Sequence, residues 1–387
     1  MRLSEQPIWR VGFRPFFVLA CLAGMVLPVV WAMMFSGELL SPAMPFSMIQ
    51  WHAHEMLFGF GWAVLGGFLL TSTKNWVKIR GYHGCILMVL ALFWLVERGG
   101  MWFAGSLSPL LFAITNNLFL VSIIVLLLWT LLCHRADDTF RAENWAFLVI
   151  LPSFLITKQL LLSEAYFSSG SSMAIGLFRM AFLVMLERTL TQFMKNNFQV
   201  AILRNVRLDR SIKLLALVFV MESFLPRMLS AGIALLLALL LLIRLIFWKP
   251  LLAIRRLDLG IMYLGYSAIV AQLLIEVINT VTSKAWVGSV SVHVFTFGAM
   301  GLIIPAMLTR ICNGHTGRKV VFGTLDKAVL WIMMTAFIVR IVMPQYLPSH
   351  YLLWIDLSAI CWFAGFALLA WRYIPFLLAA RVDGKEH

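Results

Sequence analysis

Charged residues are scarce in this chain. They make up 12% of its 387 residues, whereas 62% of the residues are hydrophobic. A soluble domain carries roughly a quarter charged and half apolar residues. The mean hydropathy of +0.92 agrees with that contrast. The composition excludes an ordinary soluble protein and predicts a polytopic membrane protein.

Several short motifs that mark particular chemistries are absent from the sequence. There is no P-loop, no HExxH, no GxSxG and no CxxCH, and the five cysteines form no CxxC pair. These absences argue against nucleotide-dependent, zinc-protease and nucleophile-elbow hydrolase chemistry, and against a covalently attached heme. Any heme would therefore be noncovalent. The chain also has too few histidines at membrane depth for a complete heme-copper oxidase centre.

Long apolar runs occupy most of the chain instead. About twenty apolar residues suffice to cross the hydrocarbon core as a helix. The sequence predicts an all-α bundle of about 12 transmembrane helices in a single integral membrane domain, 1–387. The predicted spans are 15–36, 48–73, 83–104, 108–133, 142–163, 171–194, 211–226, 228–248, 258–281, 286–311, 324–344 and 350–378.

The distribution of charge predicts the orientation. The net charge of +14 comes mostly from basic residues in alternate loops, and the opposite loops carry only Arg227 and Lys284. Positive loops remain on the cytoplasmic side, so both termini are predicted to be cytoplasmic. This pattern explains the basic charge without a nucleic-acid partner.

Histidines lie near the start of two of these spans. The second span contains His52, His54 and Glu55, and the tenth contains His293. His54 and His293 are each followed by phenylalanine four residues later and by glycine five residues later. Ionisable groups within the membrane generally mark functional sites. Both histidines would lie roughly 10 Å below the outer surface. We therefore expect the two stretches to face each other and to hold a metal or heme, with His54 and His293 as ligands.

Two neighbours of His54 leave alternatives open. Residues two apart on a helix point nearly opposite ways, so His52 and His54 should not share a metal unless the helix begins between them. His52 can be a ligand or a packing residue. Glu55 can orient a ligating imidazole, accept protons or cap the helix N-terminus.

The third and eleventh spans each contain an arginine at about the same membrane depth as the two histidines. Arg98 and Arg340 are suited to pair with heme propionates, or alternatively to form internal ion pairs. The matching His and Arg positions suggest a parallel internal repeat of helices 1–4 and 9–12. Other charged residues inside the spans must face the protein interior. They are Glu97, Lys158, Arg179, Glu187, Arg188, Glu222 and Glu276.

A further candidate site follows the tenth span on the cytoplasmic side. His315 and Arg318 lie in the glycine-containing stretch Asn313–Arg318. Glycine permits a tight turn and close backbone approach. A second metal, an anion held by Arg318, and a purely structural loop are all compatible with this pattern.

Several stretches together resemble the NnrS family of bacterial inner-membrane proteins. They run in order along nearly the whole chain, and HxHEMxFG and GHTGR are specific as a pair. The stretches are Gly12–Phe17, Trp51–Gly59, Gly67–Thr71 with Asn75–Trp76, His293–Gly301, Leu308–Arg318 and Arg372–Pro375.

The resemblance implies about twelve membrane helices that contain heme and copper. It also implies a multi-pass location in the bacterial inner membrane, and a link to denitrification, nitric oxide metabolism and nitrosative stress. Nitric oxide and a respiratory electron donor would be the partners. The stretch Glu187–Phe193 departs from the family pattern, so its role is not implied.

Other classes of function remain compatible with the sequence. The repeat, the intramembrane charges and the many spans also suit a secondary transporter for a small anion or metal ion. A nonenzymatic scaffold for a respiratory complex is a third hypothesis. Whether the protein is an enzyme is not decided by the sequence. The colour of the purified protein separates these hypotheses, because only a heme protein is red.

Overall fold

The computed structural model describes residues 2–282 and 284–385, in which the regular secondary structure is helical and no β-strand occurs. The predicted all-α class is confirmed. The main helices are α1 (Phe13–Ser36), α2 (Met48–Trp76), α3 (Cys85–Trp102), α4 (Pro109–Cys133), α5 (Arg141–Leu162), α6 (Phe167–Phe198), α7 (Val206–Phe219), α8 (Arg227–Phe247), α9 (Leu257–Val281), α10 (Val290–Gly314), α11 (Thr324–Tyr346) and α12 (Pro348–Leu378).

All of these helices except α7 are long and apolar enough to cross a membrane, which makes 11 candidate spans among the described residues. The protein is therefore a multi-pass membrane protein. The seventh predicted span, 211–226, differs from the structure. Its helix α7 has 14 residues and ends before the turn Glu222–Phe224. At 1.5 Å per residue it is about 21 Å long, shorter than a hydrocarbon core of about 30 Å. The cytoplasmic location of both termini stays a prediction.

The chain forms two compact units. Unit 1 comprises Met1–Phe167, Met307–Val329 and Trp362–His387, and unit 2 comprises Ser168–Ala306 and Leu330–Cys361. The single domain predicted over 1–387 stays a prediction, and each unit is described by itself below.

Glycines position α2 within unit 1. A Cβ on Gly67 would lie 2.7 Å from the Cβ of Phe16 on α1, and a Cβ on Gly66 would lie 2.6 Å from Cδ1 of Ile123 on α4. Small residues allow helices to approach closely, which is the usual way to gain packing contacts within a membrane. The Gly66–Gly67 pair therefore holds α2 against α1 and α4.

Three membrane helices contain a π-helical segment. These segments are Glu55–Gly61 in α2, Val294–Met300 in α10 and Ile338–Val342 in α11. Such segments are rare and occur frequently at functional sites, because the wider turn redirects side chains. Each of the first two begins directly after a candidate ligand, His54 or His293.

The intramembrane charges are largely buried, as expected. Glu97, Lys158 and Arg179 are fully buried, and Glu187 is 1% exposed. A charge inside a membrane protein is costly unless another group compensates it. The groups that compensate these charges form the candidate site.

Candidate functional site

His54 lies in a closed polar network inside unit 1. The side chain is 0% exposed, and both of its ring nitrogens have partners. Nδ1 lies 3.1 Å from Oε1 of Glu55, and Nε2 lies 3.3 Å from Oδ1 of Asn116. The imidazole is therefore held at both edges by side chains of α2 and α4.

Four charged groups complete the network. Arg98 donates to Oε2 of Glu55 over 3.2 Å and to Oε1 of Glu97 over 2.5 Å. Lys158 donates to the same Glu97 oxygen over 2.7 Å and also to the backbone carbonyl of Asn116. Two carboxylates thus face two cations, so their formal charges cancel. This explains how so many charged groups are accommodated in one apolar unit.

The π segment of α2 makes room for the network. A Cβ on Gly59 would lie 2.2 Å from Nη1 of Arg98, so only glycine fits beneath the guanidinium. The indole nitrogen of Trp94 donates to the carbonyl oxygen of Gly59 over 3.1 Å. A backbone group is satisfied in this way even though the helix departs from regular α geometry.

His52 points away from the His54 network. Its ring stacks on Trp31 of α1, with centroids 4.3 Å apart and planes 20° apart. His52 is only half-buried, in contrast to His54. The expected opposite orientation of the two histidines is confirmed. They therefore do not share one metal position in this structure.

His293 has a different environment, inside unit 2. Its Nδ1 donates to the backbone carbonyl of Ser289 over 2.8 Å, and its Nε2 accepts from Nη2 of Arg340 over 3.3 Å. A backbone acceptor on one ring nitrogen is the usual way to orient an imidazole whose other nitrogen binds a metal. The ring is half-buried.

Arg340 belongs to the π segment of α11 and faces the same histidine. Its Nη1 donates to the hydroxyl of Tyr351 over 3.3 Å, and its guanidinium lies 5.5 Å from that ring centroid. In the same unit, Glu276 accepts a hydrogen bond from Ser291. The described contacts of Arg340 include a histidine and a tyrosine, and its pairing with a heme propionate or within an internal ion pair stays a prediction.

The two histidines fit a metal or heme unequally. Neither nitrogen of His54 faces open space, and a ligand there would have to displace Asn116. His293 combines an oriented Nδ1–H with a half-buried side chain, and a ligand at its Nε2 would have to displace Arg340. Among residues 2–282 and 284–385, no group of three or more His, Cys, Asp or Glu side chains is arranged to hold a metal ion. His293 is therefore the better-suited ligand of the pair.

The sequence correctly singled out two clusters but missed several of their members. The structure brings His54, Glu55 and Arg98 together, and separately His293 and Arg340. That the two stretches face each other stays a prediction. Asn116 and Ser289 were not anticipated. Asn116 could have been found from the sequence, because its polar amide lies in the middle of an apolar run. The contact with Ser289 uses a backbone carbonyl, which no sequence pattern marks.

The stretch around His315 is tied to the C-terminal segment. The carbonyl of His315 accepts from Arg381 over 3.0 Å, and its ring packs 5.5 Å from that of Phe13. Arg318 donates to Thr316 and lies over the ring of Phe376. Burial, with the nearby charges of Lys74 and Arg381, lowers the pKa of His315 to about 4.

These contacts favour a structural role for the loop. A Cβ on Gly317, whose φ is +81°, would lie 2.8 Å from the carboxyl carbon of Asp383. The Arg381 guanidinium lowers the pKa of Asp383 to about 2, so this carboxylate is ionised. An ionised carboxylate beside the glycine disfavours an anion at that position. A role for His315 or Arg318 in a second site stays a prediction.

The stretch that departs from the family pattern contributes to another buried ion network, in unit 2. Glu187 pairs with Lys213 over 3.0 Å and also with Arg204, and Arg244 lies 3.8 Å away. Arg244 additionally approaches Asp209, at 3.6 Å. Glu187 thus ties α6 to α7 and α8. This accounts for Glu187 as a structural residue.

The model of the NnrS protein family matches residues 7–381. The chain belongs to the NnrS family. The resemblance noted in the sequence is confirmed over nearly its whole length. Comparison with curated proteins finds no match.

Proposed function

We propose that this NnrS protein binds heme and copper in the bacterial inner membrane and acts in the response to nitric oxide. The observation that carries the proposal is the family match over residues 7–381. A small and weakly polar gas can reach a site in the outer third of the membrane directly through the bilayer. Such a site needs no polar entry channel. The proposed role includes participation in nitric oxide metabolism, in resistance to nitrosative stress and in denitrification.

The residues of unit 2 support a metal-binding role for His293. Nδ1 of this histidine donates to the carbonyl of Ser289, so a metal would bind at Nε2 and would take the place of the Arg340 hydrogen bond there. Arg340 and Tyr351 lie beside it, and a guanidinium there is suited to a heme propionate. Heme iron or copper, when bound, supplies a coordination position for nitric oxide. The side chains hold, orient and neutralise that group.

Three roles lie within this proposal. The protein converts nitric oxide with electrons from a respiratory donor, relays electrons, or prevents nitrosylated metal species from accumulating. Only the first makes it an oxidoreductase. Turnover of nitric oxide by the purified protein, with a reductant present, separates the first role from the others.

A visible spectrum of the purified protein tests the proposal. We expect a Soret band that shifts when nitric oxide is added to the reduced protein. His293→Ala should remove most of the band, while His350→Ala, an exposed histidine of the same unit, should leave it unchanged. A well-folded protein without heme or copper would exclude the proposal.

A second candidate function is transport of a small oxyanion. It is favoured by Arg179 of α6, which is fully buried and donates to Gln272 through Nη1 over 2.6 Å. Its Nε and Nη2 have no hydrogen-bond partner among the described residues. These two groups form the edge of a guanidinium that binds planar oxyanions in bidentate fashion. Nitrite uptake into proteoliposomes, compared between wild type and Arg179→Lys, tests this candidate.

A further inference from the structure

We infer that the ammonium group of Lys158 is the resident cation of the His54 network, so that His54 holds this network together and binds no metal in the native protein. The inference concerns unit 1 alone. It does not depend on whether unit 2 binds heme. It begins with the atoms that surround the Lys158 side chain.

The oxygen and nitrogen atoms around His54 have the spacing of a cation site. Nε2 of His54 lies 3.3 Å from Oδ1 of Asn116 and 3.8 Å from Oε1 of Glu97. With metal–ligand bonds of about 2.1 Å, tetrahedral ligands are separated by about 3.4 Å. Both separations from the His54 nitrogen therefore suit a small divalent cation, if nothing else neutralised these side chains.

Lys158 already neutralises that group of atoms. Its Nζ lies 2.7 Å from Oε1 of Glu97 and donates to the carbonyl of Asn116, the residue that also contacts His54. The side chain is 0% exposed, and Nζ lies 5.8 Å from the ring centroid of Phe58. The ammonium is therefore buried and held by two oxygen acceptors. It serves as a cation that is attached to the protein.

Arg98 removes the remaining negative charge. It pairs with Glu97 and Glu55, so the two carboxylates of the network meet two fixed cations. A divalent cation added to this neutral set would leave an uncompensated double charge in a buried place. The cost of such a charge is large in a low-dielectric interior. Native His54 is therefore a positioning residue for Glu55 and Asn116.

Removal of the lysine should convert the network into a metal site. In Lys158→Ala, the carboxylate of Glu97 loses one of its two cations, and the space of the lysine side chain becomes accessible. We expect the variant to bind about one additional Zn²⁺ per chain through His54, Glu97 and Asn116. The double variant His54→Gln, Lys158→Ala should lose that additional site. Lys158→Arg keeps the charge and should gain none.

The experiment measures Zn²⁺ bound to detergent-solubilised protein at equilibrium, using Zn²⁺ alone as the probe. Wild type and His54→Gln should bind the same amount. Less Zn²⁺ on His54→Gln, or no gain by folded Lys158→Ala, overturns the inference. If Lys158→Ala does not fold, the comparison of wild type with His54→Gln still decides. Failure of the heme proposal would appear separately, as a colourless wild-type protein.

Discussion

The two histidine sites start from the same local pattern and end in opposite environments. In each, a histidine precedes a π-helical segment, phenylalanine and glycine follow at the same spacing, and an arginine from the next helix approaches. Around His54, two carboxylates and a lysine complete a network in which these three side chains and the imidazole are buried. Around His293, the described partners are a backbone carbonyl and an arginine, and the ring is half-buried.

A shared motif therefore specifies the position of a histidine but not its chemistry. The acidic residue directly after His54 attracts Arg98, whereas His293 is followed by Val294. Arg340 therefore contacts the imidazole itself. The predicted repeat of helices 1–4 and 9–12 is consistent with the shared local pattern and stays a prediction.

The largest expected effect comes from removing a carboxylate of the closed network. Glu97→Gln leaves Lys158 and Arg98 without one of their counter-charges, and breaking a buried pair costs about 3–5 kcal/mol. We expect a loss of that size in the free energy of unfolding, measured by thermal or denaturant unfolding in detergent. Glu276→Gln in the other unit keeps an oxygen that accepts from Ser291 but loses the charge that acts on Arg179, and should cost about 1 kcal/mol. Equal losses would remove the distinction between the two sites.

The arginines provide the next comparison. Arg98→Met leaves Glu55 without its cation and Glu97 with only one, and should lower the free energy of unfolding by about 2–3 kcal/mol. Arg340→Met loses contacts to a histidine and a tyrosine, so its cost should be about 1 kcal/mol. The same unfolding measurement checks both. If heme is bound, only Arg340→Met should shift the Soret band, and a shift in Arg98→Met alone would reverse the assignment.

A smaller effect is expected at the glycine of the first π segment. In Gly59→Ala the new methyl group would clash with the Arg98 guanidinium, which its two ion pairs hold in place. Such overpacking costs about 1–3 kcal/mol. Gly99→Ala is a matched control, because a Cβ there has no neighbour within 4 Å. A melting temperature unchanged in both would show that Arg98 moves freely.

The smallest effect concerns pH and lies outside both histidine sites. The folded-state pKa of His315 is about 4, below the usual value of about 6.5. As the pH falls, His315 is therefore protonated in the unfolded chain before it is protonated in the folded protein. Stability should fall as the pH drops from about 6.5 toward 4, because protonation favours the unfolded state. We expect His315→Gln to flatten this part of the profile of melting temperature against pH. A profile identical to wild type would show that His315 is solvated when folded.

The fold class, the family and the positions of the polar clusters follow from the amino-acid sequence alone. Apolar runs of membrane length can only be satisfied as helices, because the backbone finds no hydrogen-bond partners in lipid. Charges within such runs must be buried and compensated, and this requirement predicts the burial of Glu97, Lys158 and Arg179. Eleven of the predicted spans appear as helices long and apolar enough to cross a membrane.

Which partners surround each histidine depends on the tertiary structure. His54 and His293 share their sequence spacing, but the contacts that distinguish them come from residues distant in the chain. Asn116 and Lys158 lie 62 and 104 positions after His54, and Arg340 lies 47 positions after His293. Long-range packing selects those partners, and the helical periodicity of the sequence does not predict them. Asp209 and Lys213, on the buried face of the short helix α7, likewise find their partners on other helices.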